Sequence, residues 1–403
     1  MSLFKAREWW ATTSGYEEFH DLGCLCIGNL DNSMPPSNKI AVGSFQGLVR
    51  VYRPEPGSFS PDHLLIEHQT GKAILQLETG RFIQGSKQLQ LALLHPKEVA
   101  VYSLSSQSSD DPSGPDQSLS EPSNLYTLSP VYSNSLSRTS CNMTIGAFGR
   151  VDVGDYICVQ SMDGQLSFFV HDSFAFSVFL PDFLTPGPLC YLARTDSIVT
   201  ANSSRQLLSF QYQSLSMAYC GSADVGGREN AGKKPRADWT VNLGDHVISI
   251  RIPRQLPGKP SQLLVLGERG VYCVLDTGQL RFMMKLEVSP TCIYPYGVVL
   301  SSDLGERGGG GEEGGEGSLQ YLLATDSGQL QVFQDSALKW AAALPHPPTD
   351  ISVATFQDLQ GVLVTVDELG HLTCCYLGTD PPPSPPRPPL PPGTSISPRW
   401  RGR

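Results

Sequence analysis

The stretch "ATDSGQLQVF", residues 324–333, decides the fold: an apolar run, a turn ending in Gly328, and a second apolar run. A glycine at the end of such a turn supplies the positive φ that a hairpin joining two right-twisted strands needs. The unit returns at 161–169 as "SMDGQLSFF" and at 364–376 as "VTVDELGHLTCCY". Working outward, the whole chain yields seven such hairpins: "KIAVGSFQGLVRVY", "LQLALLHPKEVAVYSL", "YICVQSMDGQLSFFV", "SIVTANSSRQLLSFQY", "LLVLGERGVYCVL", "YLLATDSGQLQVF" and "GVLVTVDELGHLTCCYL". Their turns fall near Gly47, Lys97, Gly164, Arg205, Gly270, Gly328 and Gly370. We read Gly47, Gly164, Gly270, Gly328 and Gly370 as structural turn glycines, with no ligand or catalytic role.

Three low-complexity stretches, 105–124, 221–236 and 301–317, make the spacing uneven. With them set aside the repeat is about 47 residues, inside the roughly 40 to 50 of a four-stranded propeller blade. The runs "YICV", "LLVL", "YLLA" and "VLVTV" are nearly continuous in apolar residues. Strands with a neighbouring blade on each face read that way, whereas half-buried sandwich strands alternate. The expected fold is therefore an all-β, seven-bladed propeller over 1–380, followed by a disordered Pro/Arg-rich tail, 381–403. The last repeat supplies three strands and then meets "DPPPSPPRPPLPP", which cannot form a central strand. The fourth strand of that blade is expected from the N-terminal "SLFKAREW", because an open ring would leave a sheet edge unpaired.

Composition narrows function. The formal charge is −10, and the tail carries Arg387, Arg399, Arg401 and Arg403 with no acid, so the body is more acidic still. An acidic body repels nucleic acid, and no nucleic-acid partner is expected. No apolar run of the length that spans a bilayer occurs and the start has no apolar leader core, so a cytoplasmic chain without a transmembrane segment is expected. Of the ten cysteines, Cys158, Cys273, Cys374 and Cys375 sit in apolar strand runs, where a reduced thiol acts as a small hydrophobe. There is no C-x-x-C pair, and the eight histidines are scattered, so no metal site is expected. The sequons at Asn142 and Asn202 have no role in a cytosolic chain.

Catalytic motifs are absent from the pattern. "GSFQG" at 43–47 is not G-x-S-x-G, "GERGGGGEEGGEG" lacks the Lys and Ser/Thr of a phosphate loop, and no sialidase-type turn repeat occurs. Neither an enzyme nor a cofactor is expected. Trp9 and Trp10 are adjacent in a strand, where successive side chains point to opposite faces, so one of the pair is a candidate partner contact. Trp239 and Trp340 are expected on equivalent strands of two blades. In the tail, Pro382, Pro385 and Arg387 give a P-x-x-P-x-R segment of the kind that docks as a polyproline helix.

The segments "MSLFKAREWW", "GCLCIGNLDNS", "VGSFQGLVRV", "RTSCNMTIGAFG", "ICVQSMDGQLSFF", "FLPDFLTPGPLCY", "VLGERGVYCVLDTGQLRFMMKL" and "LKWAAALPHPP", in this order, closely resemble the family of the ninth Bardet–Biedl syndrome protein, also called parathyroid hormone-responsive. The resemblance implies the N-terminal propeller of a core subunit of the BBSome, a coat-like complex recruited to membranes by an Arl-type small GTPase. It implies other BBSome subunits as partners, ciliary membrane proteins as cargo, and residence at the cilium, its base, centriolar satellites and the ciliary membrane surface. Members of this family continue into a coiled coil and further domains, whereas this chain reads "PPPSPPRPPLPPGTSISPRWRGR" after Asp380. A divergent, truncated form is therefore expected. A propeller adaptor of another vesicle coat and a propeller enzyme remain alternatives.

Overall fold

The computed structural model describes residues 5–15, 17–107, 125–151, 154–183, 185–220, 234–253, 258–299, 317–357 and 359–378. Seven antiparallel four-stranded sheets make up a seven-bladed β-propeller. In blade 1 the strands are Leu25–Gly28, Lys39–Gly43, Leu48–Tyr52 and Leu64–Gln69. Blades 2 to 6 follow in chain order, and each contributes its own four consecutive strands. Blade 7 is composite: Asp350–Phe356, Leu359–Val366 and His371–Gly378 are joined on the outside by Lys5–Thr13 from the chain start. The closing strand runs antiparallel to the last one, with Lys5 opposite Gly378 and Thr13 opposite His371. The ring is closed by the N-terminal strand.

The reason these sequences form blades is visible in where the apolar side chains go. Seven clusters of buried residues fill the seven gaps between neighbouring blades. Middle strands supply both neighbours at once. Along His371–Gly378, for example, Cys374 joins the wedge shared with blade 1 and Cys375 the wedge shared with blade 6. Period-2 alternation therefore separates two apolar faces here, not an apolar from a polar one. This is why the strands read as continuous apolar runs.

The first strands of the blades meet in a circle around the axis, the innermost strand of blade 7 returning to that of blade 1. Strand Glu98–Gln107 of blade 2 extends into the stretch 105–124, whose remainder lies outside the described residues. Among the described residues one α-helix, Tyr212–Cys220, lies between the third and fourth strands of blade 4. It was not expected from the sequence: at nine residues it is too short to display a helical period. Leu215 is fully buried and anchors it in the wedge between blades 3 and 4.

Candidate functional site

Two places concentrate polar chemistry: the axial channel and the seam where the ring closes. The channel is a cavity of about 1020 Å³ to which the first strands of all seven blades, with the loops leading into them, contribute. Those strands do not ladder with one another, and side chains stitch them, together with a backbone bond from the Leu77 N–H to the Gly23 carbonyl (2.8 Å). Gln76 of blade 2 donates from Nε2 to the Met143 carbonyl of blade 3 (2.9 Å) and accepts the Met143 N–H at Oε1 (2.8 Å). Asn142 Nδ2 donates to the Gly187 carbonyl (2.8 Å), tying blade 3 to the start of blade 4. Asp350 Oδ2 accepts the Gly23 N–H (2.9 Å), tying blade 7 to blade 1.

Among the described residues the charged groups lining this space are Glu78, Arg251, Glu268 and Asp350, with His246 beside Glu268 (3.6 Å) at the exposed rim. Arg251 Nη2 lies 3.4 Å from Asp350 Oδ1, an ion pair spanning blades 5 and 7. Burial pushes the carboxyl of Asp350 above its ordinary range, and the Arg251 charge opposes that only in part. Glu78 is raised as well, first by burial, with the hydrogen bond from Gln76 Nε2 (2.8 Å) pulling the other way. Both oxygens of Asp350 are engaged by backbone N–H groups, Gly23 at Oδ2 and Ile351 at Oδ1. Cys141 and Cys190 line the same wall, and burial pushes both thiols up to about 12, so they stay protonated and unreactive near neutrality. The channel can hold a small polar ligand by charge and amide contacts, and its described thiols and carboxylates are arranged as girders.

At the seam the tryptophans depart from expectation. Trp9 and Trp10 are both buried, at 9 % and 0 % exposure, so neither is a free partner contact. A β-bulge explains it: Glu8 pairs with Cys375 and Trp10 with Cys374, which leaves Trp9 as an extra residue. The bulge breaks the alternation, and both indoles enter the wedge between blades 7 and 1. Trp9 stacks on Phe356 with centroids 6.0 Å apart, and Trp10 Nε1 donates to His63 Nδ1 (2.9 Å). Beside them Arg50 forks onto Glu18 (Nη1–Oε2 2.6 Å, Nη2–Oε1 2.7 Å) and donates from Nε to Glu67 (2.7 Å). Although burial raises the Glu18 carboxyl, the Arg50 guanidinium outweighs it and holds the group below its ordinary value. His20 is buried nearby, its Nδ1 2.8 Å from the Gly43 carbonyl and its Nε2 2.8 Å from Ser14 Oγ.

Gly47, Gly164, Gly328 and Gly370 lie in turns with φ of +86°, +81°, +72° and +79°. Gly270 corrects the expectation: it is the first residue of strand Gly270–Leu275, its φ is not positive, and Glu268 and Arg269 make the two-residue turn before it. Ser44 of "GSFQG" accepts the Leu48 N–H at Oγ (3.2 Å) and so organises a turn. Trp239 and Trp340 lie on the fourth strands of blades 4 and 6. Pro382, Pro385 and Arg387 lie outside the described residues.

The sequence reading missed a trio on blade 7. His346, Asp367 and His371 each place a ligand atom within 4.8 Å of the others. No motif links them, since 20 residues of loop and strand lie between His346 and Asp367. Only the pairing of Asp367 and His371 across one turn, D-x-x-x-H, was visible in the sequence.

Fold and channel together place the molecule among the seven-bladed β-propellers, and solved structures agree. A crystal structure described as BBS1N in complex with ARL6DN superimposes with a TM-score of 0.61 at 12 % identity, over 93 % of this chain and 97 % of that one. The Saccharomyces cerevisiae protein Sqt1 gives 0.52 at 10 % identity. At such identities the likeness concerns the fold. Sequence goes further: the family profile described as PTHB1 N-terminal matches residues 1–381. Protein PTHB1 of Xenopus laevis is 42 % identical and that of Homo sapiens 41 %, each over 392 aligned residues and 94 % of this chain. The chain belongs to the PTHB1 N-terminal family. It spans less than half the length of these curated relatives, 43 % and 41 %. The expectation of a divergent, truncated form is overturned, because the family match runs through 381 at an identity shared evenly by the vertebrate relatives.

Proposed function

We propose that this chain is a non-catalytic propeller scaffold that works by protein–protein contact within a BBSome-type complex and so supports ciliary membrane-protein trafficking and cilium formation. The observation that carries this reading is the family match over residues 1–381. The partners we propose are other BBSome subunits and, through them, an Arl-type small GTPase and ciliary membrane cargo. A propeller of the same fold crystallised with ARL6DN lends support to a GTPase in the assembly. The organisation proposed is a propeller over 1–380 and a tail over 381–403. The place of work is the cytoplasm, the ciliary base with its centriolar satellites, and the ciliary membrane surface. Among the described residues no helix is long and apolar enough to cross a membrane.

The test is affinity capture from ciliated cells with the 403-residue chain beside a version ending at Asp380, both read by mass spectrometry. Recovery of BBSome subunits with both supports the reading and makes the tail passive. Recovery only with the full chain assigns the contact to the segment holding Pro382, Pro385 and Arg387. Recovery of other coat subunits in place of BBSome subunits favours the vesicle-coat alternative.

A further inference from the structure

The trio on blade 7 has the parts of a metal centre. His346 stands in the loop between the fourth strand of blade 6 (Ala337–Ala343) and the first strand of blade 7 (Asp350–Phe356). Asp367 and His371 flank the turn between strands Leu359–Val366 and His371–Gly378. Asp367 is buried and held from behind: its Oδ1 accepts the backbone N–H of Leu369 (3.0 Å) and of His371 (2.7 Å). That leaves Oδ2 facing two imidazoles, His371 Nδ1 at 2.6 Å and His346 Nδ1 at 3.8 Å. The rings lie stacked, with centroids 4.1 Å apart and planes 4° apart, so ligation of one ion in both ring planes requires one imidazole to turn out of the stack.

A tetrahedral zinc ion with bonds of about 2.0–2.1 Å sets its ligand atoms roughly 3.4 Å apart. The 3.8 Å separation is near that value, the 2.6 Å contact between His371 and Asp367 is a hydrogen bond that the ion would replace, and the two imidazoles are partly open to solvent. Two imidazoles and one carboxylate, with room for water, form a donor set suited to zinc or copper and unsuited to calcium or magnesium. Backbone donors on Oδ1 perform the orienting task that outer partners perform around known zinc ligands.

We propose that His346, Asp367 and His371 bind one divalent transition-metal ion of the zinc type, which clips the loop entering blade 7 to the central turn of that blade. The clip lies at the ring closure: Ser14 N–H donates to the Gly370 carbonyl (2.9 Å) and Thr13 pairs with His371. An ion bound there only in the native state stabilises the closed ring by mass action.

The experiment titrates the metal-stripped 403-residue chain with zinc chloride by calorimetry and records the absorption of its cobalt(II) form. One equivalent bound is expected, with affinity at least about tenfold weaker in His346→Ala and in His371→Gln. The cobalt form should show visible bands of a four-coordinate nitrogen and oxygen site. Equal binding by all three proteins overturns the proposal, as does absence of binding at about 100 µM zinc. A thiolate charge-transfer band in the cobalt spectrum of the unaltered protein would put the ion on a cysteine and overturn it too, whether or not the variants fold.

Discussion

Blades 5 and 7 have the same four-stranded plan and are finished differently. Blade 5 uses consecutive strands, Val247–Arg251, Gln262–Gly267, Gly270–Leu275 and Leu280–Lys285. Its outer strand leaves Leu280 and Met283 exposed. Blade 7 takes its outer strand from the other end of the chain, and that strand carries a bulge that sinks two indoles into the adjoining wedge. A local hairpin closes a short loop cheaply. Pairing Thr13 with His371 closes a loop of nearly the whole propeller, at about 0.6 kcal/mol for each doubling of length. Trp9 and Trp10 supply apolar burial that offsets this, so the difference between the blades is a difference in how each fourth strand is held.

The most severe way to break the comparison is to remove residues 1–13. Blade 7 would lose its outer strand and the wedge toward blade 1 its indoles, and we expect loss of the cooperative thermal transition followed by circular dichroism. A truncated protein melting like the intact one would show that the ring is held elsewhere. Next in size is Trp10→Ala, expected to cost about 3–5 kcal/mol in guanidinium unfolding, because the side chain is wholly buried and His63 Nδ1 keeps only the longer bond from the Ser60 N–H (3.2 Å). Met283→Ala on blade 5 should stay within about 0.5 kcal/mol. Equal costs for the two would mean that the closing strand is no more firmly held than an ordinary one.

How much of this could be read beforehand follows the same division. The seven hairpins and the donated strand were legible because each rests on local pattern: an apolar run, a turn and an edge that needed a partner. The orientation of Trp9 and Trp10 was not, since a one-residue bulge reverses a period-2 argument and leaves no mark in "REWW". Gly270 was misplaced because a two-residue turn, Glu268–Arg269, moves the following glycine into the strand. The His346–Asp367–His371 trio was invisible for a third reason. Ring geometry brings an inter-blade loop beside an intra-blade turn, and no linear spacing encodes that meeting.

The turn glycines sharpen the comparison at smaller scale. A methyl group on Gly370, at the seam, would run into Ser14 Oγ and lie 2.7 Å from His20 Nε2. On Gly328, in blade 6, the nearest atom would be the Leu344 carbonyl oxygen at 3.4 Å. Both positions carry the strain of positive φ, worth about 1–2 kcal/mol to an L-residue, and only the first adds a collision. Gly370→Ala should therefore cost about 2–4 kcal/mol and Gly328→Ala about 1–2 kcal/mol. Gly164→Val falls between them, at more than about 1 kcal/mol, since its Cβ would lie 2.6 Å from Phe183 Cβ. Chemical denaturation of the three variants checks the order, and a Gly370→Ala cost no larger than that of Gly328→Ala would remove the seam as a special place.

The smallest effect belongs to the channel, where the ordinary and the closing blade each contribute a carboxylate, half-buried in Glu78 and buried in Asp350. Asp350 of blade 7 has both oxygens occupied by backbone N–H groups and faces Arg251, so its carboxylate cannot be replaced without orphaning a donor. Glu78 of blade 2 has Gln76 Nε2 at 2.8 Å, and Glu78→Gln keeps an oxygen for that bond. Burial raises the Glu78 carboxyl in the folded chain above its unfolded value. Between those two values the folded state holds a proton that the unfolded state has released, so stability falls as pH rises through the window and stays lower above it. Glu78→Gln removes that loss. Its melting temperature should exceed that of the unaltered protein at pH 8, and the gap should shrink as pH falls below the ordinary glutamate value, where Glu78 is protonated in both states. A gap that does not change with pH would mean that Glu78 keeps its water and its charge in the channel, and that the two blades present equally solvated faces to the axis.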